Sequence, residues 1–194
     1  LVDIMASSKK MAHSLHLPIQ SGSNRILKRM NRGYTKEEYM EKVEYLKKKI
    51  PDIALSTDMI FGFPGETEED FNLSMEVLRD VRYQVSYLFR FSPRENTPAA
   101  GIKDGLVEEE LKLQRLNSAI ELQNKISLEE SKKYVGQTVD LLFSSPDKTG
   151  DKLMGRDTHD LIVIAPGDKN LIGKVKNVKI KEANSFTLFG EIID

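Results

Sequence analysis

The sequence predicts two parts of different class: an α/β layer with parallel strands, then a small antiparallel β-barrel. Up to about residue 100, apolar strand-like runs alternate with helical patterns, and two of these runs lead directly into a glycine turn and a helix. From Tyr134 onward, short strand-like runs are separated by Gly, Pro, Asp and Asn. With 194 residues, 39% of them hydrophobic, the chain is long enough for one large domain or two small ones.

The elements of the first part follow from periodicity and from capping residues. Thr35 and Glu38 form a capping box, and Pro51 ends the helix that begins there because proline cannot continue its hydrogen bonds. The run from Ile53 to Phe61 is typical of a strand buried on both faces of a parallel sheet. The sequence predicts, in order, a strand at 15–19, a helix capped by Ser23 and ended by Gly33, a helix at 35–50, a strand at 53–61, a helix capped by Thr67 and a strand at 85–91.

A long helix and five strands are expected in the rest of the chain. A break at 101–105 precedes a helix at 107–132 whose Leu113, Leu116 and Ile120 share one face. The strands are expected at 139–143, 152–156, 161–164, 173–180 and 186–192. Their spacing favours a barrel of oligonucleotide-binding topology, with Phe186 and Phe189 in its core.

Composition excludes several classes of site. The chain has no cysteine, so it can form neither disulfides nor thiolate metal sites, and its three histidines are scattered along the sequence and predict no metal cage. No stretch approaches the length needed to span a bilayer, which predicts a cytoplasmic protein with no membrane partner. Although the net charge is only -1, two basic runs, 25–36 and 169–181, contain no acidic residue.

The strand-to-helix turns are the candidate ligand site. A turn of this kind leaves the last carbonyls of a strand and the first amides of a helix unpaired, so backbone groups can hold a polar ligand there. In a parallel layer the turns meet at the carboxyl ends of the strands. His16, which opens the first turn, is expected to be a structural residue of an apolar strand.

Four motifs carry a family resemblance. The turns are His-Leu-Pro-Ile-Gln-Ser-Gly-Ser at 16–23, Asp-Met-Ile-Phe-Gly-Phe-Pro-Gly-Glu-Thr at 58–67 and Phe-Ser-Pro-Arg-Glu-Asn-Thr-Pro-Ala-Ala at 91–100. Together they resemble the radical S-adenosylmethionine (SAM) methylthiotransferases that modify tRNA. The segment from Tyr134, with Leu-Met-Gly-Arg at 153–156, resembles the TRAM domain of these enzymes. Asn96 stands where the family has glycine, and asparagine tolerates the left-handed backbone of such a turn.

The resemblance implies SAM-contacting residues at the strand ends and RNA-contacting residues in the last domain. It assigns no catalytic residue. Ser23 has helix capping as an alternative role, Asp58 a structural hydrogen bond and Arg94 a surface ion pair. The cofactor set is Gln20, Ser21, Gly22, Ser23, Asp58, Ile60, Gly62, Phe63 and Arg94, and the RNA set is Arg156, His159, Lys174 and Lys176.

The implied reaction is the addition of a methylthio group to C2 of a modified adenosine beside the anticodon. The motif wording favours N6-isopentenyladenosine as substrate. A sister enzyme acting on threonylcarbamoyladenosine or on a ribosomal protein is one alternative, and a stand-alone RNA-binding module is another. Family members hold [4Fe-4S] clusters through cysteines that this chain lacks.

The chain therefore resembles the C-terminal part of such an enzyme. The expected division is a barrel portion at 1–100, a linker and long helix at 101–132 and a TRAM domain at 133–194. The implied partners are tRNA and an N-terminal half that bears the clusters, without which the chain is expected to be inactive. An exposed apolar surface is expected where that half would pack.

Overall fold

A computed structural model describes residues 1–193. Helices and strands alternate in its first part, and five strands follow a long helix in its second part. The elements are α1 (Val2–Ser7), β1 (Ser14–His16), α2 (Asn24–Arg29), α3 (Lys36–Lys49), β2 (Ala54–Phe61), α4 (Glu68–Val81), β3 (Val85–Arg90), α5 (Glu109–Lys132), β4 (Thr138–Pro146), β5 (Leu153–Arg156), β6 (Ile162–Ala165), β7 (Val175–Ala183) and β8 (Thr187–Ile192), with short 3-10 helices at Pro98–Gly101 and Lys169–Leu171.

The first sheet has the order β1-β2-β3, which confirms the predicted α/β layer. Strands β2 and β3 are parallel, from Ser56 opposite Val85 to Phe61 opposite Arg90. Strand β1 ends at His16, before the predicted limit of 19. Pro18 has no N–H to donate to a neighbouring strand, and pairing resumes only at the parallel bridge between Gln20 and Met59.

One face of this sheet is open. The side chains of β2 alternate: Thr57, Met59 and Phe61 are fully buried, whereas Ser56, Asp58 and Ile60 are only half-buried, so the prediction of burial on both faces is wrong. The register places Tyr87 beside Asp58 and Phe89 beside Ile60. These two aromatic side chains are 53% and 51% exposed, which confirms the expected apolar surface. We call Ser56, Asp58, Ile60, Tyr87 and Phe89 the open face.

Capping residues set the helix bounds. The capping box predicted at Thr35 is present, with Glu38 as the reciprocal partner. The cap predicted at Thr67 is present as well, and Asp70 makes it a capping box too. Helix α2 ends at Arg29 rather than near Gly33. The reason is Asn31, whose φ of 56° is left-handed and stops the helical backbone.

Helix α5 buries a face of mixed polar and apolar side chains, with Ala119 and Ile126 among them, instead of the predicted apolar face. Leu113 and Ile120 are exposed, whereas Arg115 and Gln123 are buried. Gln123 donates from Nε2 to the Tyr83 carbonyl at 2.8 Å, and its Oε1 accepts from Ser86 Oγ at 2.9 Å. Gln123 can be buried because both ends of its side-chain amide are hydrogen-bonded within the sheet unit.

The last five strands form a closed barrel in the order β4-β5-β6-β8-β7, which is the oligonucleotide-binding arrangement expected from the sequence. The barrel is not wholly antiparallel, because β6 and β8 pair in parallel.

Phe186 is 63% exposed rather than buried in the core of the barrel. It lies in the turn before β8, where Asn184 Oδ1 accepts from its N–H, and alternation then places Leu188 inside. The interior side chains include Val139, Leu141, Phe143, Leu153, Val163, Val178, Ile180 and Leu188.

The chain forms two compact units. The barrel unit contains Leu1–Leu15, Lys49–Ala54 and the residues from Lys125 onward, and the sheet unit contains His16–Lys48 and Leu55–Asn124. The division at 100 and 132 stays a prediction. We expect limited proteolysis to cut at 101–105 or near Lys132 and to leave a folded C-terminal piece, because exposed loops are cut first. A chain that yields no protected piece of that size would contradict this division.

Candidate functional site

The first strand-to-helix turn is held by buried hydrogen bonds to helix α4. Gly22 N donates to Ser74 Oγ at 2.9 Å, and Ser21 Oγ lies 3.4 Å from the same oxygen. Ser23 Oγ donates to Asp70 Oδ1 at 2.5 Å and accepts from the Ile26 N–H, so its predicted capping role is confirmed. Ser21 and Ser23 are buried, and their hydroxyl groups are therefore engaged within the sheet unit.

Gln20 has a different environment from the rest of this turn. Its φ of 73° is left-handed, a conformation that non-glycine residues adopt at a cost and that is frequent at functional sites. Its N–H donates to the Asp58 carbonyl at 2.9 Å, and its carbonyl accepts from the Ile60 N–H at 3.0 Å. These bonds bring three predicted cofactor residues, Gln20, Asp58 and Ile60, together at the sheet.

Asp70 joins the starts of helices α2 and α4. Besides Ser23, its carboxylate accepts from Thr67 N at 2.8 Å, from Thr67 Oγ1 at 2.7 Å and from the Arg25 guanidinium. Burial by itself would raise the pKa of Asp70, but these donors outweigh it and lower the pKa to about 2. The side chain is 6% exposed, so water screens these contacts little.

We expect Asp70→Asn to lower the free energy of unfolding by about 2 kcal/mol at neutral pH. The folded pKa of about 2 lies below the ordinary value near 4, so the carboxylate stabilises the fold above about pH 4. That stabilisation is lost as the pH falls through the folded pKa. Urea unfolding at several pH values should therefore show the wild-type and variant curves converging in acid. Asp80→Asn, on the exposed side of α4, is the control, and a pH-independent difference for Asp70→Asn would contradict the assignment.

The second turn is built around a buried ion pair. Glu66 Oε1 accepts from Gly62 N at 2.8 Å and from Arg115 Nη1 at 2.9 Å. Burial raises the pKa of Glu66, against the opposing effects of the Gly62 N–H and the Arg115 charge. Gly62 has a φ of 73°, and a Cβ there would lie 2.3 Å from Lys112 Cγ. Arg115 is a site residue that the sequence analysis missed, since nothing in a helix pattern marks one arginine as buried.

The apolar side of this turn is a small aromatic cluster. Phe63 is buried, and its ring meets Phe91 edge to face at 4.9 Å between centroids. Ile26 completes the buried cluster, with Ile60 packed against it. Phe63 and Ile60, both predicted cofactor residues, are thus brought together around one apolar wall.

The third turn leaves Arg94 exposed. Its carbonyl accepts from Thr97 Oγ1 at 2.7 Å, whereas its guanidinium has no hydrogen bond or ion pair within residues 1–193. The surface ion pair considered as an alternative for Arg94 is not formed there. Asn96 has a φ of 63°, so it adopts the left-handed backbone expected at this position.

The open face carries polar groups as well as aromatic ones. His16 Nδ1 lies 2.9 Å from Ser56 Oγ, and Nε2 lies 3.5 Å from Asp58 Oδ2. The side chain is 44% exposed rather than packed in the core, and its structural role stays a prediction. The His16 ring also meets Tyr87 edge to face at 6.0 Å. Tyr87 and Phe89 were not among the predicted site residues, although the exposed side of β3 follows from its alternation once the register is known.

The barrel distributes the predicted RNA residues over different surroundings. Arg156 lies outside the barrel beside Leu142 and donates to the Asp160 carbonyl at 2.6 Å. Lys174 and Lys176 lie two residues apart at the start of β7, and both are exposed without an ion pair in the described part of the chain. His159 is not on this cationic surface, because both its ring nitrogens face carboxylates.

Two family matches cover most of the chain. Residues 1–78 match the radical SAM superfamily, and residues 132–193 match the TRAM domain. The chain carries part of a radical SAM domain and a TRAM domain. The closed barrel lies within the residues that match the TRAM domain, and strands β1 and β2 lie within the residues that match the radical SAM superfamily, whereas β3 follows them. Within the described residues, no helix combines the length and the apolar composition needed to cross a membrane.

Curated relatives resemble the chain from end to end. The tRNA-2-methylthio-N(6)-dimethylallyladenosine synthases of Alkaliphilus oremlandii, Fusobacterium nucleatum and Aquifex aeolicus are each 45% identical over 194 residues. These alignments cover all of this chain but only 41%, 44% and 43% of the relatives. Among solved structures, coproporphyrinogen III oxidase from Escherichia coli matches 60% of this chain and 27% of its own at 21% identity, with a TM-score of 0.49.

Proposed function

We propose that this chain is the C-terminal part of a tRNA methylthiotransferase that modifies N6-isopentenyladenosine. The observation that carries the proposal is the identity of 45% over the whole chain to relatives of that name. It favours this substrate over threonylcarbamoyladenosine or a ribosomal protein. The combination of an open parallel sheet with a TRAM barrel supports an enzyme over a stand-alone RNA-binding module. A tRNA substrate also supports a cytoplasmic location.

The open face and the adjoining turns offer apolar and polar side chains that suit the different parts of SAM. Ile60 and Phe63 provide an apolar wall for an adenine ring, while the Asp58 carboxylate and the Gln20 side chain provide polar partners. When bound, SAM supplies the radical chemistry and the methyl group. The residues of this chain bind and orient it.

Gly62 acts by shaping the second turn, and Arg94 offers a free guanidinium for a carboxylate. Ser21, Gly22 and Ser23 act mainly by fixing the first turn against α4, since their polar groups are already paired there.

The residues present do not fit a [4Fe-4S] cluster, because the chain has no cysteine. The proposal therefore places the clusters in an N-terminal half, for which the aromatic side chains of the open face are a suitable contact surface.

The TRAM barrel is proposed to bind tRNA through its exposed cations. Lys174 and Lys176 are the best placed, because neither is neutralised by an acidic partner within residues 1–193. Val175 and Leu142 are exposed apolar residues that lie in one row with Arg156, on the side of the sheet opposite to the one that Lys176 faces. Phe186, exposed at the β7–β8 turn, can stack on an unpaired base.

We expect Lys174→Ala and Lys176→Ala each to weaken tRNA binding and to reduce the slope of log affinity against log salt by about 0.7 to 0.9, since each lysine that contacts a phosphate releases counterions. Arg156→Ala should have a smaller effect because Asp160 already neutralises this arginine. Binding measured across salt concentrations tests both statements. Lys28→Ala, an exposed lysine of the other acid-free run, is the control, and unchanged slopes for both TRAM variants would move the RNA surface elsewhere.

The function is tested on the complete protein encoded by the open reading frame that contains this chain. Expressed in a host whose tRNA lacks the modification, it should restore 2-methylthio-N6-isopentenyladenosine, as read by mass spectrometry of tRNA hydrolysates. Asp58→Ala should reduce the product and SAM binding, whereas Asp80→Ala should not. A product on threonylcarbamoyladenosine, or no methylthio product, would overturn the proposal.

A further inference from the structure

Two of the three histidines, scattered in sequence, meet in space within the barrel unit. His13 precedes β1, Asp52 lies between α3 and β2, and His159 lies between β5 and β6. One ligand atom from each lies within 4.8 Å of the others. His13 Nδ1 is 3.0 Å from each Asp52 oxygen, and His159 Nε2 is 3.1 Å from Asp52 Oδ2. We call these residues the His-Asp-His cluster.

The backbone, rather than the side chains, brings these segments together. His13 N donates to the Thr158 carbonyl at 2.8 Å, and the His13 carbonyl accepts from Ala54 N at 2.8 Å. The three side chains are therefore aligned by strand-like contacts that persist whatever they bind. A site whose ligands are already positioned loses less entropy when it binds an ion.

A second carboxylate fixes how His159 presents its ring. Asp157 is fully buried, and its Oδ2 lies 3.1 Å from His159 Nδ1. Its Oδ1 accepts from the N–H groups of His159 and Leu161, so the carboxylate cannot turn away. Because an ionised carboxylate only accepts, Nδ1 carries a proton and Nε2 is left to face Asp52.

This carboxylate–histidine arrangement is typical of the surroundings of bound metal ions. Without a cation between them, an unprotonated Nε2 and an Asp52 oxygen 3.1 Å apart repel each other. A positive charge shared by the three donors, either a proton or a metal ion, removes that repulsion.

We propose that His13, Asp52 and His159 bind a zinc ion. Two imidazole nitrogens and one carboxylate oxygen form a donor set that suits Zn²⁺ and not Mg²⁺ or Ca²⁺, which prefer oxygen ligands. In a tetrahedral zinc site neighbouring donors are about 3.3 Å apart, so the observed 3.0 and 3.1 Å separations need little change. The two histidine nitrogens lie within 4.8 Å of each other, and zinc binding would draw them together. The Asp52 side chain is 56% exposed, which leaves a fourth position for water.

The test is the Zn²⁺ affinity of the full 194-residue chain after removal of metals, measured by competition with a chromophoric chelator. We expect one Zn²⁺ per chain and a higher thermal unfolding midpoint when it is bound. His13→Ala and Asp52→Ala should each weaken binding by more than about 10-fold. His16→Ala removes the third histidine, which faces Ser56 and Asp58 instead, and should leave the affinity unchanged.

Asp157→Asn separates metal binding from folding. Asparagine keeps Oδ1 as acceptor for the two backbone N–H groups, but its Nδ2 donates toward His159 Nδ1 and moves the ring proton to Nε2. We expect a circular dichroism spectrum like that of the wild type and about 10- to 100-fold weaker Zn²⁺ binding.

Histidine ¹⁵N spectra identify the ligand atoms. Zn²⁺ should shift Nδ1 of His13 and Nε2 of His159 and leave the His16 signals in place. Binding no tighter in the wild type than in His13→Ala, or a shift confined to His16, would overturn the proposal.

Discussion

Gly22→Ala is expected to prevent the sheet unit from folding stably. A Cβ at this position would lie 2.3 Å from the Leu73 carbonyl oxygen and 2.7 Å from Ser74 Cα. Both are backbone atoms of helix α4, which cannot move away without breaking the bond from Gly22 N to Ser74 Oγ. We expect a loss of more than about 4 kcal/mol, which in thermal unfolding would appear as an absent or greatly lowered transition.

Gly33→Ala is the matched control for this prediction. No heavy atom lies within 4 Å of a Cβ built at Gly33, so that substitution should leave the stability nearly unchanged. The comparison also decides the role of Gly22 in the first turn. If Gly22→Ala folds normally and only SAM binding by the complete enzyme suffers, the glycine serves the cofactor and not the packing of α4.

Signals that lie within a few residues of each other predicted their elements correctly. The cap at Thr67 and the capping box at Thr35 and Glu38 place the starts of α4 and α3. Alternation and turn residues likewise place the five barrel strands to within a few residues. Each of these signals is a local preference of the backbone, and such preferences are readable from one sequence.

Pairing over long distances was not readable. The parallel contact of β6 with β8 and the exposure of Leu113 and Ile120 depend on which segments meet in the folded chain. The same is true of His13 and His159, which no spacing rule connects across the chain. In the candidate site, Gln20 and Ile60 were predicted from their motifs and do lie together at the sheet. Arg115 was not predicted because its partner Glu66 lies 49 residues earlier.

Arg115→Ala is expected to lower the free energy of unfolding by about 3–5 kcal/mol at neutral pH, because it leaves a buried carboxylate without its countercharge. Glu66 and Arg115 are both buried, and Glu66 Oε1 would keep only the Gly62 N–H as a donor. Exposed ion pairs elsewhere in the chain have no comparable effect, since water screens them. Arg79→Ala, on the exposed side of α4, is therefore a suitable control.

The pH dependence identifies the cause of this loss. Burial already raises the pKa of Glu66, and removal of Arg115 raises it further, so the folded pKa lies above the unfolded value near 4.3. When the folded pKa of a carboxyl group lies above the unfolded pKa, the protonated group favours the folded state. This stabilisation is fully present below the unfolded pKa and is lost as the pH rises through the folded pKa. The deficit of Arg115→Ala in urea unfolding should therefore shrink from pH 7 to pH 4.

The double variant Glu66→Gln/Arg115→Met should recover most of the lost stability, because glutamine still accepts from Gly62 and no charge remains buried. A deficit of Arg115→Ala that stays the same at pH 4, or a double variant as unstable as the single one, would contradict this account. Such a result would assign the role of Arg115 to the packing of its side chain over the Phe71 ring, whose centroid lies 5.6 Å from Cζ.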